Sequence, residues 1–317
     1  MRPLENIAMR EAFADTAIEL YEEGYNIVVL DADVSKSTRS IKFGTKYPER
    51  FVNVGIAEQN MMSIAAGMAS CGMIPLVCSF SMLLSLRALD QTRQQVAYAK
   101  NNVKIMAHYG GYSAGPEGPT HHAIEDLGVI RSIPNMTILV PCDAEETKAA
   151  LRTTVETPGP VFLRMSRNPV PYVEGKPGKV EVGRGYRLRA GKDLAIIAIG
   201  VMVSRALDAT DQLAAEGVEC QVIAMPSLKP IDQALIVEAA RQTGAVVTAE
   251  EHNIYGGLGS AVAEVLVEHA PVPMKRVGIQ DRFSESAQFF ELLDTYGLSV
   301  GDIVAACRET LSRKQSA

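Results

Sequence analysis

The chain has no tryptophan, and aromatic residues make up only 6% of its 317 residues. It also lacks any apolar run of about 18 residues, the length that a membrane-spanning helix needs. Its first residues do not show the charged segment followed by an apolar segment that is typical of a secretory signal. We therefore expect a protein without a membrane partner that works in the cytoplasm.

Charge and cysteine content exclude further classes of protein. The net charge is -6, and the sequence has no basic stripe of the kind that binds nucleic acid. The five cysteines are scattered without a Cys-x-x-Cys pair, which excludes a disulfide framework and a zinc spacing. We therefore expect no nucleic-acid partner and no metal ligands from this chain.

What the sequence does contain is a repeated alternation of short apolar runs and helical patterns. Hydrophobic residues make up 47% of the chain, which is enough for two domains with separate cores. The alternation is typical of parallel sheets with crossover helices. Strands are predicted at 27–30, 51–54, 74–78, 103–106, 137–140, 161–163, 194–199, 220–224, 245–248 and 274–277, and helices at 8–23, 57–71, 204–216, 232–242 and 258–269.

The fold class predicted from this alternation is α/β, with two three-layer domains built on mainly parallel sheets. A proline-rich and glycine-rich connector begins at Asn168, and proline there prevents a continued helix. The predicted boundaries are 1–168 for the first domain, 169–185 for a linker and 186–317 for a smaller second domain. The glycine cluster at 256–260 is interpreted as a tight turn before a helix, and the tail after Arg308 is expected to fray.

Glu58 is the residue that suggests chemistry, because it places a lone acid at an apolar strand-to-helix junction. The run 51–54 is predicted as a short buried strand, and the helix begins near residue 57 after a turn at Gly55. A carboxylate at a helix start gains stability from the helix dipole. Alternatively, apolar surroundings favour the protonated acid, which could then share its proton with a nitrogen heterocycle. The spacing alone leaves both interpretations open.

A second segment, Gly115-Pro-Glu-Gly-Pro-Thr-His-His122, follows the apolar run at 103–106 and lies on a loop where open α/β sheets bind ligands. Together with Gly55-Ile-Ala-Glu-Gln59, it resembles the motifs of the transketolase superfamily of thiamine diphosphate enzymes. The resemblance covers nearly the whole chain. It continues through 87–91, 133–136, 141–147, 163–168, 250–252 and 256–260.

One part of the family pattern is missing. Transketolases hold the cofactor diphosphate through Mg²⁺ with a Gly-Asp-Gly segment and a later Asn, and this chain has no such pair. The resemblance therefore implies a pyrimidine-binding domain followed by a transketolase C-terminal domain. Such a chain would be the small subunit of a split transketolase, active only with a large subunit that holds the diphosphate and Mg²⁺. The reaction implied is transfer of a two-carbon ketol unit from a ketose phosphate or sulfonate to an aldose.

The resemblance also implies which residues meet the cofactor. Glu58 would contact the ring nitrogen N1′ of the aminopyrimidine and so promote loss of the thiazolium C2 proton. Phe80 is the only aromatic residue after its strand, where the family has several, so that Leu83 or Leu84 would supply apolar contact. The implied cofactor-binding residues are Glu58, Asp33, Phe80 and Leu84.

Substrate contacts follow from the same resemblance. Arg suits bidentate contacts to a phosphate, and a sulfonate would satisfy the same donors. Glu117 stands where the family has an Asp that binds the sugar, and the extra methylene changes its reach. Either His108 or Tyr109 occupies a further family histidine position. The implied substrate-binding residues are Arg10, Ser37, His108, Glu117, His121 and Arg167, of which His121 is also implied in catalysis.

Three other functions stay open at this point. They are the beta subunit of a 2-oxo acid dehydrogenase, an enzyme similar to deoxyxylulose phosphate synthase, and a non-catalytic relative that keeps the fold. The superfamily pairs these domains about a two-fold axis, which implies a homodimeric core within an α₂β₂ heterotetramer. Glu250, His252 and the turn before Gly256 are implied at that dimer interface.

Overall fold

The computed structural model describes residues 7–315. These residues form twelve strands: β1 (Ile27–Asp31), β2 (Phe51–Asn53), β3 (Ile74–Phe80), β4 (Lys104–His108), β5 (Thr137–Leu139), β6 (Val161–Arg164), β7 (Tyr186–Arg189), β8 (Leu194–Ala198), β9 (Cys220–Ala224), β10 (Ser227–Lys229), β11 (Val246–Asn253) and β12 (Met274–Ile279). The α-helices are α1 (Met9–Glu22), α2 (Ser35–Thr38), α3 (Ile41–Lys46), α4 (Glu58–Ser70), α5 (Leu89–Gln91), α6 (Asp126–Arg131), α7 (Ala144–Glu156), α8 (Met202–Ala214), α9 (Gln233–Thr243), α10 (Leu258–His269), α11 (Phe289–Thr295) and α12 (Val300–Gln315). Short 3₁₀ segments lie at Pro48–Arg50 and Tyr112–Glu117, and π-helical turns at Leu83–Arg87 and Thr92–Tyr98.

The strands form two mainly parallel sheets, as the alternation in the sequence predicts. The first sheet has the order β10-β5-β6-β4-β3-β1-β2, and the second has the order β12-β11-β8-β9-β7. Only β10 against β5 and β7 against β9 pair antiparallel. The prediction of two α/β domains is confirmed.

Helices cover both faces of the first sheet because successive side chains of each strand point to opposite faces. On one face, Val29 and Leu76 belong to the same apolar cluster as Phe13 of α1 and Leu151 of α7. On the other face, Leu30, Val77 and Ile105 join Met61 of α4 and Val96 of the second π-helical turn. Central strands such as β1 are therefore buried along their whole length.

The two domains are joined by more than the linker. β10 belongs to the second half of the chain but extends the first sheet beside β5. Residues 169–185 form no helix or strand in the structure apart from an isolated bridge between Ala8 and Pro169. The domain limits at 168 and 186 stay a prediction, and residues 1–6 and 316–317 of the predicted domains lie outside the described residues.

Two details of the sequence-based interpretation are wrong. The strand at 51–54 was predicted as buried, but β2 is the edge strand of its sheet and is partly exposed. The tail after Arg308 was expected to fray, yet α12 continues to Gln315. Lys314 donates to the carbonyls of Asp193 and Thr243 at 2.9 and 2.7 Å, which ties the end of the helix to the second sheet.

Among the described residues, none of the helices is both long enough and apolar enough to cross a bilayer.

Asp143 anchors the linker to the first domain. It is buried, and its side chain caps α7 by accepting from the Glu146 amide. The same carboxylate accepts from the Val173 amide at 2.8 Å and pairs with the buried Lys176 at 2.5 Å. One carboxylate thus fixes a helix start and a linker segment together.

We predict that Asp143→Ala lowers the free energy of unfolding by about 3 to 5 kcal/mol, because it removes the helix cap and leaves the Lys176 ammonium buried without its partner. Asp143→Asn should lose less, since the amide oxygen still caps the helix. Chemical denaturation measures both changes. The control is Glu145→Ala on the exposed side of α7, expected within about 0.5 kcal/mol of the parent. A loss for Asp143→Ala no larger than the control would contradict the anchoring role.

Candidate active site

The predicted site residues gather at the carboxyl edge of the first sheet. In an open α/β sheet this edge is the ligand-binding edge. β3 lies between β1 and β4, with β2 beyond β1 and β6 beyond β4. The residues that end or follow these five strands are Asp33, Glu58, Phe80, His108, Tyr109 and Arg167.

Glu58 is the first residue of α4, and its side chain is fully buried. One carboxylate oxygen accepts from Nη1 of Arg87 at 2.8 Å, and the other lies 3.5 Å from the hydroxyl of Ser79, the residue before Phe80. The sequence predicted an apolar environment here. The structure corrects this, because Glu58 has a charged partner on the first π-helical turn.

Arg87 is the site residue that sequence reasoning missed. Its place in the run 87–91 indicated only a helix that packs against the domain. Its contact with Glu58 joins positions 29 residues apart, and no local pattern reveals a tertiary contact of this kind.

Phe80 and Tyr109 form the apolar part of the site. Their ring centroids are 4.3 Å apart, and Leu83 and Ala114 complete their cluster. Leu84, which the resemblance implies as a cofactor contact, is instead fully buried in the core that α4 covers. Leu83 is therefore the leucine that lies with Phe80, and a cofactor contact by Leu84 stays a prediction.

Two guanidinium groups flank Tyr109. Nη1 of Arg10 donates to the Tyr109 hydroxyl at 3.3 Å and to the carbonyl of Ser37 at 2.9 Å. The guanidinium carbon of Arg167 lies 5.0 Å from the centroid of the Tyr109 ring, within cation–π range. Burial lowers the pKa of Arg10, and its Nε has no hydrogen-bond partner. The structure thus brings Arg10, Ser37 and Arg167 together around Tyr109, and their binding of a substrate stays a prediction.

The loop at 115–122 lies on the other side of Arg167. Glu117 forms an ion pair with Arg167 at 3.6 Å, and the His121 ring is 5.8 Å from that of Phe80. His122 anchors the loop through both ring nitrogens. Nδ1 lies 2.5 Å from the Ser284 hydroxyl, and Nε2 lies 3.1 Å from the carbonyl oxygen of Gly115. The second domain therefore holds the loop that carries two predicted substrate contacts.

His108 lies behind this cluster, against α1, and its predicted role in substrate binding stays a prediction. It is buried, with its ring edge-on to Phe13 of α1 at 4.9 Å. Burial, and secondarily the nearby Arg10, lowers its pKa to about 3, and neither ring nitrogen has a partner. Tyr109 follows the last residue of β4 with a positive φ of 63°, and its ring lies with Phe80, whereas the His108 ring lies with Phe13. Which of the two meets the substrate stays a prediction.

Asp33 lies on the loop after β1 with a positive φ of 63°. Its amide donates to the side-chain oxygen of Asn53 at 3.2 Å, and its carboxylate accepts from the amide nitrogen of the same side chain at 3.3 Å. These bonds join the loop to the end of β2. Asp33 is exposed at the rim of the site, and its predicted cofactor contact stays a prediction.

Glu250 and His252 do not lie on a dimer surface, contrary to expectation. Both are fully buried in the chain. Glu250 accepts from the amides of Leu258 and Gly259 at 2.6 and 2.7 Å, and His252 accepts from the amide of Gly128 in the first domain at 3.2 Å. His252 thus joins the two domains of one chain, whereas the Glu250 carboxylate satisfies backbone groups at the start of α10 in its own domain.

The turn before α10 has a structural explanation. A Cβ on Gly257 would lie 2.0 Å from a carboxylate oxygen of Glu250, so glycine is needed there for close approach. The amides at the start of α10 are already bound by Glu250. This agrees with the interpretation of the glycine cluster as a tight turn rather than a phosphate site.

The site fits an aminopyrimidine ring. A fully buried carboxylate could bind a ring nitrogen in place of Arg87, and the apolar Phe80 ends the strand whose Ser79 contacts that carboxylate. Flat heterocycles bind well where apolar side chains surround a few placed polar groups. The donor set at Arg10 and Arg167 fits an anionic group at the opposite end.

Comparisons with known proteins agree with this geometry. The family model for the transketolase pyrimidine-binding domain matches residues 5–172, and that for the transketolase C-terminal domain matches residues 183–303. A 6-deoxy-6-sulfo-D-fructose transketolase subunit from a Clostridium species is 38% identical over 98% of this chain and 97% of its own length. A putative transketolase C-terminal section from Methanocaldococcus jannaschii is 41% identical over 96% of this chain and 97% of its own length.

A solved structure has the same fold and a similar length. It is described as a split gene transketolase, inactive beta4 tetramer. It is 48% identical, with a TM-score of 0.91, and the match covers 97% of this chain and 99% of the other.

A pH-dependent prediction comes from Glu251, which lies between the domains. It is buried, and its carboxylate accepts from the Tyr112 amide at 2.6 Å. Burial raises the pKa of Glu251 from 4.5 to about 8, against the opposing effect of Arg164. Between these values the folded chain keeps a proton that the unfolded chain releases. Stability should therefore fall as pH rises from about 5 to 8.

We predict that Glu251→Gln reduces this pH dependence by at least about 1 kcal/mol across that interval, because the amide keeps the bond to Tyr112 without titrating. Denaturation at pH 5, 6, 7 and 8 measures it. Glu145→Gln, on an exposed carboxylate, should follow the parent curve. An unchanged slope in Glu251→Gln would mean that this carboxyl group is already ionised in the folded chain.

Proposed function

We propose that this chain, a member of the transketolase family, is active only in complex with a large subunit. It is the small subunit of a split enzyme and carries the pyrimidine-binding and C-terminal domains. The observation that carries the proposal is the buried Glu58 carboxylate at the carboxyl edge of the first sheet, in contact with Ser79 and Arg87. The names of the relatives that this chain matches, a transketolase subunit and a split gene transketolase, support a two-chain enzyme.

Thiamine diphosphate is the cofactor that the family implies. When bound, it supplies the carbon nucleophile and electron sink for breaking a carbon–carbon bond beside a carbonyl. Glu58 would hold the aminopyrimidine through a hydrogen bond to its ring nitrogen, and Phe80 and Leu83 would pack against the ring. We infer that the large subunit holds the diphosphate and Mg²⁺. The two domains matched in this chain are the pyrimidine-binding and C-terminal domains, and neither is the diphosphate-binding domain.

The substrate end of the site is positively charged. Arg10 and Arg167 both contact Tyr109, and a terminal phosphate or sulfonate bound there would accept charge-assisted hydrogen bonds from them. His121 and Glu117 on the neighbouring loop would contact sugar hydroxyls, and His121 would also take part in proton transfer. We propose a ketose with a terminal anion as donor and an aldose as acceptor.

Assembly follows from the same reasoning. Ile56 and Leu86 are exposed apolar side chains within two residues of Glu58 and Arg87, on a face that a large subunit would cover. We propose a homodimeric core with two large subunits, an α₂β₂ heterotetramer. The interface inside the core must use residues other than Glu250 and His252. The five cysteines are free thiols, which suits the cytoplasm as the compartment.

Reconstitution tests this function. The chain is co-expressed with a protein carrying the diphosphate-binding domain, and ketol transfer from xylulose 5-phosphate to ribose 5-phosphate is measured with thiamine diphosphate and Mg²⁺. We expect ketol transfer by the complex and none by either chain alone. Oxidative decarboxylation of a 2-oxo acid would identify a dehydrogenase beta subunit instead. Condensation of pyruvate with an aldose phosphate would identify a synthase of the deoxyxylulose phosphate type. Cofactor binding without any turnover would identify a non-catalytic relative.

We predict that Glu58→Gln lowers ketol transfer by the complex by at least about 100-fold, because the amide cannot deliver or take a proton at the ring nitrogen. Steady-state kinetics with saturating cofactor measures the loss. The matched control is Glu49→Gln, on an exposed carboxylate ahead of β2, which should keep the parent rate. Full activity in Glu58→Gln would remove Glu58 from the catalytic site.

A second prediction concerns the anionic end. Arg10→Leu should raise KM for a ketose phosphate or sulfonate about 10- to 100-fold, because charge-assisted hydrogen bonds to the anion are lost. KM for an unphosphorylated ketose such as erythrulose should change much less. Arg93→Leu removes an exposed arginine elsewhere and should alter neither value. Equal effects on both donors would mean that Arg10 acts through the fold and does not bind the anion.

A further inference from the structure

The ion pair between Arg87 and Glu58 conflicts with the task proposed for Glu58. A guanidinium at 2.8 Å favours the ionised form of a carboxyl group. A hydrogen bond from Glu58 to a ring nitrogen requires the carboxyl group to bring a proton. The same residue therefore needs one charge state in the free chain and another when a heterocycle is bound.

The two partners differ in how freely they can move. Glu58 is fully buried, with Ser79 on its second oxygen. The Arg87 side chain is 44% exposed and lies at the end of a π-helical turn, beside the exposed Leu86. π-helical turns occur often at functional sites. In the free chain, the Arg87 guanidinium can move into solvent and stay hydrated as a charge, whereas the Glu58 carboxylate is enclosed by the protein.

Separating the pair changes the preferred form of Glu58. A fully buried carboxylate without a charged partner is strongly disfavoured, and the neutral acid is then preferred. Movement of Arg87 would thus cause Glu58 to take a proton from solvent, while the guanidinium keeps its own protons. No other group needs to change charge.

We propose that Arg87 is a positioning residue that holds Glu58 ionised in the free chain and releases it as the cofactor binds, so that Glu58 gains its proton at that step. The proposal rests on the function proposed above, since it concerns the residue that would meet the aminopyrimidine. It adds a residue and a proton uptake to that function.

The first test uses the full chain without partner or cofactor, and so does not depend on the proposed function. The carboxyl carbon of Glu58, in protein with ¹³C-labelled glutamate and assigned with Glu58→Gln, reports its ionisation at neutral pH by NMR. We expect an ionised carboxylate in the parent and in Arg87→Lys, and a protonated acid in Arg87→Leu. Arg93→Leu removes a charge from the same helical segment and should match the parent. A protonated Glu58 in the parent, or an ionised one in Arg87→Leu, would overturn the proposal.

The second test measures proton uptake when the reconstituted complex binds thiamine diphosphate with Mg²⁺, by calorimetry in buffers of different ionisation enthalpy. The parent should take up about one proton per site more than Arg87→Leu, because Glu58 is already protonated in the variant. Protonation changes of the diphosphate are common to both and cancel in the difference. In the Glu58→Gln background, Arg87→Leu should cause no difference.

The outcomes separate the two ideas. Equal proton uptake by the parent and Arg87→Leu would overturn the role of Arg87 and leave the transketolase function intact. If the complex binds no thiamine diphosphate at all, the proposed function fails, and the NMR result still decides whether Arg87 controls the ionisation of Glu58. Thermal unfolding of each variant verifies that the fold is retained.

Discussion

Arg164 is the side chain on which the arrangement of the two domains depends. It ends β6 and is almost fully buried, with its Nε on the carboxylate of Asp126 at 2.8 Å. Its Nη2 donates to the carbonyls of Ala123 and Glu251 at 3.1 and 2.9 Å. One guanidinium therefore joins the first sheet, the end of the substrate loop and a strand of the second sheet. A buried guanidinium is stable only when such partners are all in place, so the loop and both domains are fixed together.

This junction explains how a loop can serve as part of an active site. Residues 115–122 have little regular structure, yet His122 binds Ser284 on one side and the carbonyl of Ala123 binds Arg164 on the other. A Cβ on Gly118 would lie 2.6 Å from the Ser286 hydroxyl, which shows how closely the second domain approaches. Precise placement of substrate-binding groups requires such support from behind. The C-terminal domain thus supports the loop of the candidate site although Glu58 is not on that domain.

Much of the fold and part of the site could be predicted from the sequence because they depend on local patterns. Apolar runs predicted ten of the twelve strands of the described residues and missed β7 and β10, and the acid at a helix start singled out Glu58 as a candidate. Features that depend on tertiary contacts could not be predicted. Glu250 and His252 stand in a family motif, but only the fold shows that they satisfy backbone groups of the same chain. The end of α12 is charged and looks frayed in sequence, and it is held by carbonyls more than 70 residues away.

Tyr109 shows why the sequence left the substrate end undecided. The choice between His108 and Tyr109 depends on which residue faces the site, and a shift of one residue in a strand reverses the face. Strand alternation does not extend to Tyr109, because this residue has a positive φ of 63°, which is a strained conformation for a bulky residue. In this conformation the Tyr109 ring packs against Phe80, its hydroxyl accepts from Arg10, and Arg167 lies over the ring face. Because Arg10 and Arg167 contact the same side chain, the backbone conformation of Tyr109 determines where both guanidiniums find this partner.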